Sequence, residues 1–218
     1  MSSTVRNPLK AALRKQIKAI LLTQSQENKK IQSDAITKKI LDSDAFKQST
    51  RISVYLSLNQ EVNTQAILNE MFRQQKEVFV PSYSGNKMVM LKITDMTDFE
   101  SLPLTKWNIR QPNYDGIRES ANDTGGLDLI LLPGVAFTRK GGRLGHGMGY
   151  YDKYLSEHFE QNQHRRCNDL SLSSSETSIS TKLKDKKTIL LGLAFKEQIV
   201  DDVPLEETDV LLDDIITA

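Results

Sequence analysis

Residues Leu127–Leu155, LDLILLPGVAFTRKGGRLGHGMGYYDKYL, decide how this chain reads. Leu127, Leu129, Ile130, Leu131 and Leu132 form an apolar run of strand length, and Pro133-Gly134 ends it. Gly141, Gly142, Gly145, Gly147 and Gly149 then fall within nine residues, and Tyr150-Tyr151-Asp152-Lys153-Tyr154-Leu155 follows in helical register. A buried strand that passes through a glycine-dense loop into a helix lets backbone N–H groups approach an anion, and the helix N-terminus adds a favourable dipole. The stretch reads as a phosphate site. Spacing alone does not say which kind. The Gly-Lys-Ser/Thr ending of a P-loop is absent, and Tyr150 stands where the dinucleotide fingerprint has its third glycine. A flexible surface loop is the competing reading. Against it stand Arg139, Lys140 and Arg143 before the glycines and Asp152 inside the helix, since cations plus a carboxylate are the usual parts of a metal–nucleotide site.

Outward from this centre, strand and helix patterns alternate. Asn7-Pro8 predicts an N-cap with proline at the first helical position, and Leu9, Leu13, Ile17, Ile20 and Leu21 mark one face of the helix. Lys10, Arg14 and Lys18 stack beside that face at four-residue spacing. Ser25 opens a second helix, carrying Ile31, Ala35, Ile36 and Ile40. Ile52–Leu56 alternates as a strand, Thr64–Gln75 carries Ile67, Leu68, Met71 and Phe72 at helical spacing, and Val78–Val80 is a strand stopped by Pro81. Met88–Ile93 is a further strand after the turn Ser84-Gly85-Asn86. Thr94–Gly126 is turn-rich and expected to wrap the surface, anchored by Trp107 and Tyr114. Gln161–Lys187, QNQHRRCNDLSLSSSETSISTKLKDKK, is polar and poor in large apolar groups, and reads as a disordered insertion. Thr188–Ala194 is one more strand, and Val210–Leu212 a strand-like tail. The alternation predicts an α/β fold: a single domain over residues 1–218, layered around a mostly parallel sheet with helices on both faces.

Composition removes several classes of function. With 218 residues there is ample chain for one core. A formal charge of +1 provides no global field for nucleic acid or a membrane surface. The lone Cys167 excludes an internal disulfide framework and fits a reducing compartment. No apolar run reaches the length of a membrane span. A cytoplasmic monomer is the default expectation. The cations Arg6, Lys10, Arg14, Lys15 and Lys18 precede the first acid, Glu27, and are also compatible with a mitochondrial transit segment.

With these pieces assembled, the chain resembles the 5-formyltetrahydrofolate cyclo-ligase (methenyltetrahydrofolate synthetase) family. The most specific part is LLPGVAFTRKGGRLGHGMGYYDKYL, supported by LKAALR, RISVYLSLNQEV, LPLTKWNIRQP, TGGLDLILLPG, LGLAFKEQI and PLEETDVLLDDIIT. The match spans nearly the whole chain apart from the Gln161–Lys187 segment. The resemblance implies conversion of 5-formyltetrahydrofolate, in free or polyglutamylated form, to 5,10-methenyltetrahydrofolate, with ATP as co-substrate and Mg²⁺ required. It implies ATP contacts at Lys10, Arg14, Arg143, Gly145, Gly147, Gly149, Tyr150 and Tyr151. It implies folate contacts at Leu56, Glu61, Trp107, His146, Gly147, Met148, Gly149 and Tyr150, and metal ligands at Asp152 and Asp209. No protein nucleophile is expected.

Each assignment has a plainer rival. Lys10 and Arg14 could be two members of a solvated stripe, Asp152 a carboxylate that complements the helix dipole, and Asp209 one of an acidic surface run with Glu206, Glu207, Asp213 and Asp214. Glu61 could be an exposed loop acid, and Trp107 an ordinary anchor. The sequence departs from relatives whose loop reads G-R-G-K-G: here His146 and Met148 replace the two cations. That substitution makes Arg143 the more valuable charge. It also motivates an alternative function, a protein that binds 5-formyltetrahydrofolate without turning it over; an unrelated ATP-dependent kinase on the same type of sheet is a third reading.

Overall fold

All four residues of Leu129–Leu132 are buried, so this strand is covered on both faces. A computed structural model describes residues 7–106, 108–172 and 187–218. Eight strands occur among them: β1 (Arg51–Ser53), β2 (Glu77–Ser84), β3 (Lys87–Ile93), β4 (Leu129–Leu132), β5 (Ala136–Phe137), β6 (Arg143–Leu144), β7 (Ile189–Ala194) and β8 (Asp214–Thr217). The helices are α1 (Pro8–Thr23), α2 (Gln26–Asp42), α3 (Asp44–Gln48), α4 (Gln65–Arg73), α5 (Met96–Ser101) and α6 (Tyr150–Leu172). Six strands make one sheet in the order β3-β2-β1-β4-β7-β8, parallel except for the β2–β3 hairpin; β5 and β6 pair separately.

Side-chain alternation along the strands separates two cores. Leu129 and Leu131 pack with Ile52, Val54, Val78 and Val80 under Ile17 and Leu21 of α1, Ile36 and Ile40 of α2, Phe46 of α3 and Met71 of α4. Ile130 and Leu132 face the other way, with Phe79, Phe137 and Leu190, beneath Tyr151, Tyr154 and Leu155 of α6. Each fully buried aliphatic side chain contributes roughly 1.5–3 kcal/mol relative to exposure, so these two layers are what closes the sheet. Helices on both faces of a mostly parallel sheet are what the sequence predicted.

Local chemistry accounts for the element ends. Asn7 accepts hydrogen bonds from the N–H groups of Leu9 and Lys10, Pro8 occupies the first turn, and Ser25 caps α2 through the N–H of Asn28. Gly85 and Asn86 form the two-residue hairpin loop, with Gly85 at φ 59°.

Several expectations need correction. β2 runs through Pro81 instead of stopping there, and Pro81 pairs in register with Met90 of β3. The Phe79 carbonyl accepts from Val54, the residue just after β1, so by alternation the Pro81 nitrogen faces the same side, past the point where β1 has ended. No ladder bond is lost. Tyr114 is half exposed, and α5 forms inside the segment read as irregular. The tail strand is Asp214–Thr217, not Val210–Leu212, because Ile215 and Thr217 are the residues that alternate inward against β7. α6 continues through Leu172, well into the segment expected to be disordered; residues 173–186, and Trp107, lie outside the described residues.

The sheet also explains where a ligand can sit. From β1 the chain crosses to β2 on one side, while β4, later in sequence, flanks β1 on the other. In an open parallel sheet the crevice beyond the strand C-termini at such a reversal is the natural ligand site.

Candidate functional site

The chain leaving β1 and the chain leaving β4 both open into this crevice, and together they wall a cavity of about 380 Å³. Tyr55, Leu56 and Glu61 follow β1; Pro133 follows β4; Pro81 and Tyr83 reach in from β2. The glycine loop and the start of α6 contribute Arg143, Gly145, His146, Met148, Gly149, Tyr150, Tyr151 and Asp152.

The loop is more ordered than its glycine content suggests. β5 and β6 make a short hairpin, with Val135 N–H donating to Leu144 O at 2.7 Å and Thr138 N–H to Gly142 O at 2.8 Å. At its tip, Gly141 has φ +86°, and a Cβ there would lie 2.3 Å from the carbonyl oxygen of Leu212. The C-terminal segment is thus laid directly across the hairpin, and Leu212 N–H donates to Gly141 O at 2.9 Å. From α1, Arg14 donates through Nε to the carbonyl of Gly145 at 2.8 Å, and Gly147 sits against the same guanidinium. The first turn of α6 leaves N–H groups without intrahelical partners at the end of this loop.

Arg143 supplies the buried charge. Its side chain is 3% exposed; Nη2 bonds Asp152 Oδ1 at 2.8 Å and Nη1 reaches Pro133 O at 3.4 Å. Its Nε has no hydrogen-bond partner among the described residues. A buried cation with an unspent donor beside an apolar cavity favours an incoming anion. Gly145 gives it room, since a Cβ there would lie 3.2 Å from Nη1.

Glu61 is largely buried. Its Oε2 accepts from Leu58 N–H at 2.8 Å, and its Oε1 lies 3.1 Å from His146 Nε2. Burial pushes the hydroxyls of Tyr55 and Tyr151 well above the usual tyrosine range, and the negative charge of Glu61 adds to both shifts. These phenols remain neutral donors at physiological pH. Tyr55 spends its proton on Val62 O at 3.0 Å. Tyr150 packs edge-on against Tyr83 at 4.9 Å between centroids and donates to Gly85 O.

The sequence-predicted residues fall into two groups. Leu56, Glu61, His146, Met148, Gly149 and Tyr150 share the cavity with Arg143, Gly145, Tyr151 and Asp152. Lys10, Arg14, Gly147 and Asp209 are not among its lining residues. Arg14 and Gly147 meet at the loop. Lys10 Nζ is held by Asp209 Oδ2 at 2.6 Å and by Glu206 Oε1 at 3.2 Å. Burial alone would lower the pKa of Lys10, but its bonds to Asp209 and Glu206 outweigh that and raise it, so the ammonium stays charged. Lys10 and Asp209 are therefore partners, a relation that the separate assignments did not anticipate.

For a divalent cation the donor set fits only in part. Among the described residues no three His, Cys, Asp or Glu side chains cluster as a ready-made metal site. Asp152 commits one carboxylate oxygen to Arg143, and Asp209 commits one to Lys10 and Glu206 N–H, which leaves each a second oxygen. That composition suits Mg²⁺, which takes one or two carboxylates together with phosphate oxygens.

Tyr55, Tyr83, Pro133 and Arg110 also line the cavity and were not singled out beforehand. Tyr83 lies two residues beyond Pro81, so extending the strand alternation would have found it. Arg110 belongs to the LPLTKWNIRQP segment; it donates to the carbonyls of Glu100 and Leu102 and so is anchored to the end of α5.

These features define a single-domain α/β protein in which a glycine-rich loop and a buried arginine face an apolar cavity at the sheet's switch point. The sequence profile of the 5-formyltetrahydrofolate cyclo-ligase family matches residues 6–181 and 168–218. The chain belongs to that family. It is 37% identical over 218 residues to the Mus musculus protein named 5-formyltetrahydrofolate cyclo-ligase, covering 99% of this chain and 97% of that one. A Caenorhabditis elegans protein named as a probable 5-formyltetrahydrofolate cyclo-ligase is 38% identical over 213 residues, 95% of this chain and 92% of its own length. The fold is shared with the NMR structure of Aquifex aeolicus 5,10-methenyltetrahydrofolate synthetase, at a TM-score of 0.70 and 24% identity over 95% of this chain and 89% of that one.

Proposed function

We propose that this chain converts 5-formyltetrahydrofolate to 5,10-methenyltetrahydrofolate, using ATP and Mg²⁺ and releasing ADP and phosphate. The observation that carries the reading is the shared cavity. Glu61 and Leu56 line it together with the glycine loop, Arg143 and Asp152, so a ligand held by the first pair meets whatever the others bind.

The chemistry has a clear requirement. A formamide carbon is a poor electrophile and its oxygen a poor leaving group. Transfer of the γ-phosphoryl group to the formyl oxygen activates both. N10 of the same folate then attacks the carbon and gives up its proton as phosphate departs with the oxygen. Because nucleophile and electrophile share one molecule, proximity replaces a protein nucleophile. The protein's tasks are to hold the pterin, aim the triphosphate and exclude water. Glu61 accepts hydrogen bonds from pterin N–H groups, and Tyr150 and Leu56 give apolar walls. Arg143 and the start of α6 receive phosphate oxygens. Mg²⁺, held by Asp152 and completed by Asp209, would neutralise phosphate charge.

Arg14 acts by holding the Gly145 carbonyl, and so the loop, in its phosphate-binding shape. Arg14→Ala is expected to raise KM for ATP about tenfold, the scale of one charge-assisted hydrogen bond. Because Lys10 and Arg14 belong to this machinery, a segment that includes them has to stay in the working protein.

Purified chain, 5-formyltetrahydrofolate, ATP and Mg²⁺ should generate methenyl absorbance, and omission of either ATP or Mg²⁺ should abolish it. A well-folded chain that makes no product removes the proposal. Calorimetric folate binding without turnover would then favour the sequestering protein.

A further inference from the structure

His146 stands where relatives of the G-R-G-K-G type carry a cation, and its ring is turned toward a carboxylate. Glu61 accepts only, so the imidazole nitrogen 3.1 Å from its Oε1 must carry the proton. The other carboxylate oxygen is fixed locally. Leu58 N–H donates to Oε2 at 2.8 Å, and Glu61 N–H returns a bond to Leu58 O at 3.0 Å, closing a tight turn. That turn fixes one oxygen of the carboxylate and leaves Oε1 to a second partner. The contact with His146, 85 residues away, holds that second oxygen and so completes the orientation of the carboxylate plane.

The histidine is itself held in place. Its neighbour Gly145 has its carbonyl bound by Arg14, and Gly147 rests on the same guanidinium, so the backbone on both sides of His146 is pinned to α1. We infer that His146 is a positioning residue: it orients Glu61 for the pterin and ties the folate carboxylate to the phosphate loop. This rests on the proposed folate reaction and gives His146 a role exerted through Glu61, beyond the folate contact that the resemblance implies. A carboxylate offers about four acceptor positions. Two are taken by Leu58 and His146, and the remaining two match the paired N–H groups of a reduced pterin.

The test compares the wild type with His146→Ala and His146→Gln in steady-state methenyl formation, with folate and ATP varied in turn. His146→Ala should raise KM for 5-formyltetrahydrofolate about tenfold, the worth of one well-placed hydrogen bond, and leave KM for ATP within about twofold. His146→Gln, which restores an N–H donor, should recover most of the loss. An unchanged folate KM, an equal rise in both KM values, or failure of glutamine to rescue would each overturn the inference. Should His146→Ala fold poorly, His146→Leu, which fills the space without a donor, takes its place with the same folate-selective loss expected. A wild-type chain that makes no product would overturn the enzymatic reading instead. Calorimetric titration of 5-formyltetrahydrofolate into the same three proteins would then read the role of His146 directly.

Discussion

Arg143→Ala is expected to lower kcat for methenyl formation by about a thousandfold, the upper range for loss of one preorganised donor at a developing charge. Two consequences of the geometry combine. The cavity loses its buried cation and the unpartnered Nε donor, and Asp152 loses the partner that holds it at 2.8 Å. A freed carboxylate at the phosphate wall would repel the triphosphate it should help to coordinate. Breaking a buried ion pair by removing one member costs about 3–5 kcal/mol; the partial exposure of Asp152 puts this case near the lower end. Arg143→Lys separates the two effects. It keeps the charge but not the planar fork that reaches Asp152 and Pro133 together, so near-native stability with kcat reduced about a hundredfold is expected. Retention of a tenth or more of wild-type kcat in a folded Arg143→Ala chain would show that phosphate is received elsewhere.

Gly141→Ala should have the largest effect on stability of any single methyl group added in the loop. Its φ of +86° is strained for alanine, and the new Cβ would lie 2.3 Å from Leu212 O, a backbone atom that cannot rotate away. Strain of about 1–2 kcal/mol in this backbone region and about 1 kcal/mol for the displaced Leu212 bond give a total of about 2–3 kcal/mol. For a chain of this size that lowers the thermal midpoint by about 4–12 °C. Gly85→Ala is the control: it has φ +59° but nothing within 4 Å, so it should show strain alone, about 1 kcal/mol. If the two variants melt together, the C-terminal segment does not press on the hairpin as described. The Gly141 variant should also bind ATP more weakly, because the segment that moves is the one that brings Asp209 to Lys10.

Much of this was legible from the sequence because the decisive signals are local. The apolar run at Leu129–Leu132, the cap at Asn7-Pro8 and the hairpin turn at Gly85-Asn86 each depend on neighbouring residues, and each was found where expected. Of the eight folate contacts assigned together by resemblance, Leu56, Glu61, His146, Met148, Gly149 and Tyr150 share one cavity, Gly147 does not line it, and Trp107 lies outside the described residues. What escaped was non-local or without periodicity. The β5–β6 hairpin has two-residue strands, too short for any pattern, and is held by backbone bonds. Pro81 interrupts a strand only when a neighbour needs its N–H, and the sequence does not say that β1 has already ended there. The ion pair of Lys10 with Asp209 joins residues 199 apart. Cys167 and the polar run around it concealed the continuation of α6, since such residues neither form a stripe nor forbid a helix.

The crossing of Leu212 over Gly141, together with the grip of Asp209 on Lys10, has a consequence for biosynthesis. At translation rates of about 5–20 residues per second, the hairpin of residues 136–144 waits several seconds for the part of the chain that will cover it. A ribosome paused before residue 206 displays a sheet with its glycine loop uncovered on one side and Lys10 without its carboxylates. Nascent intermediates of that length should therefore be sensitive to protease at the hairpin, and should become resistant only once the closing segment has cleared the exit tunnel.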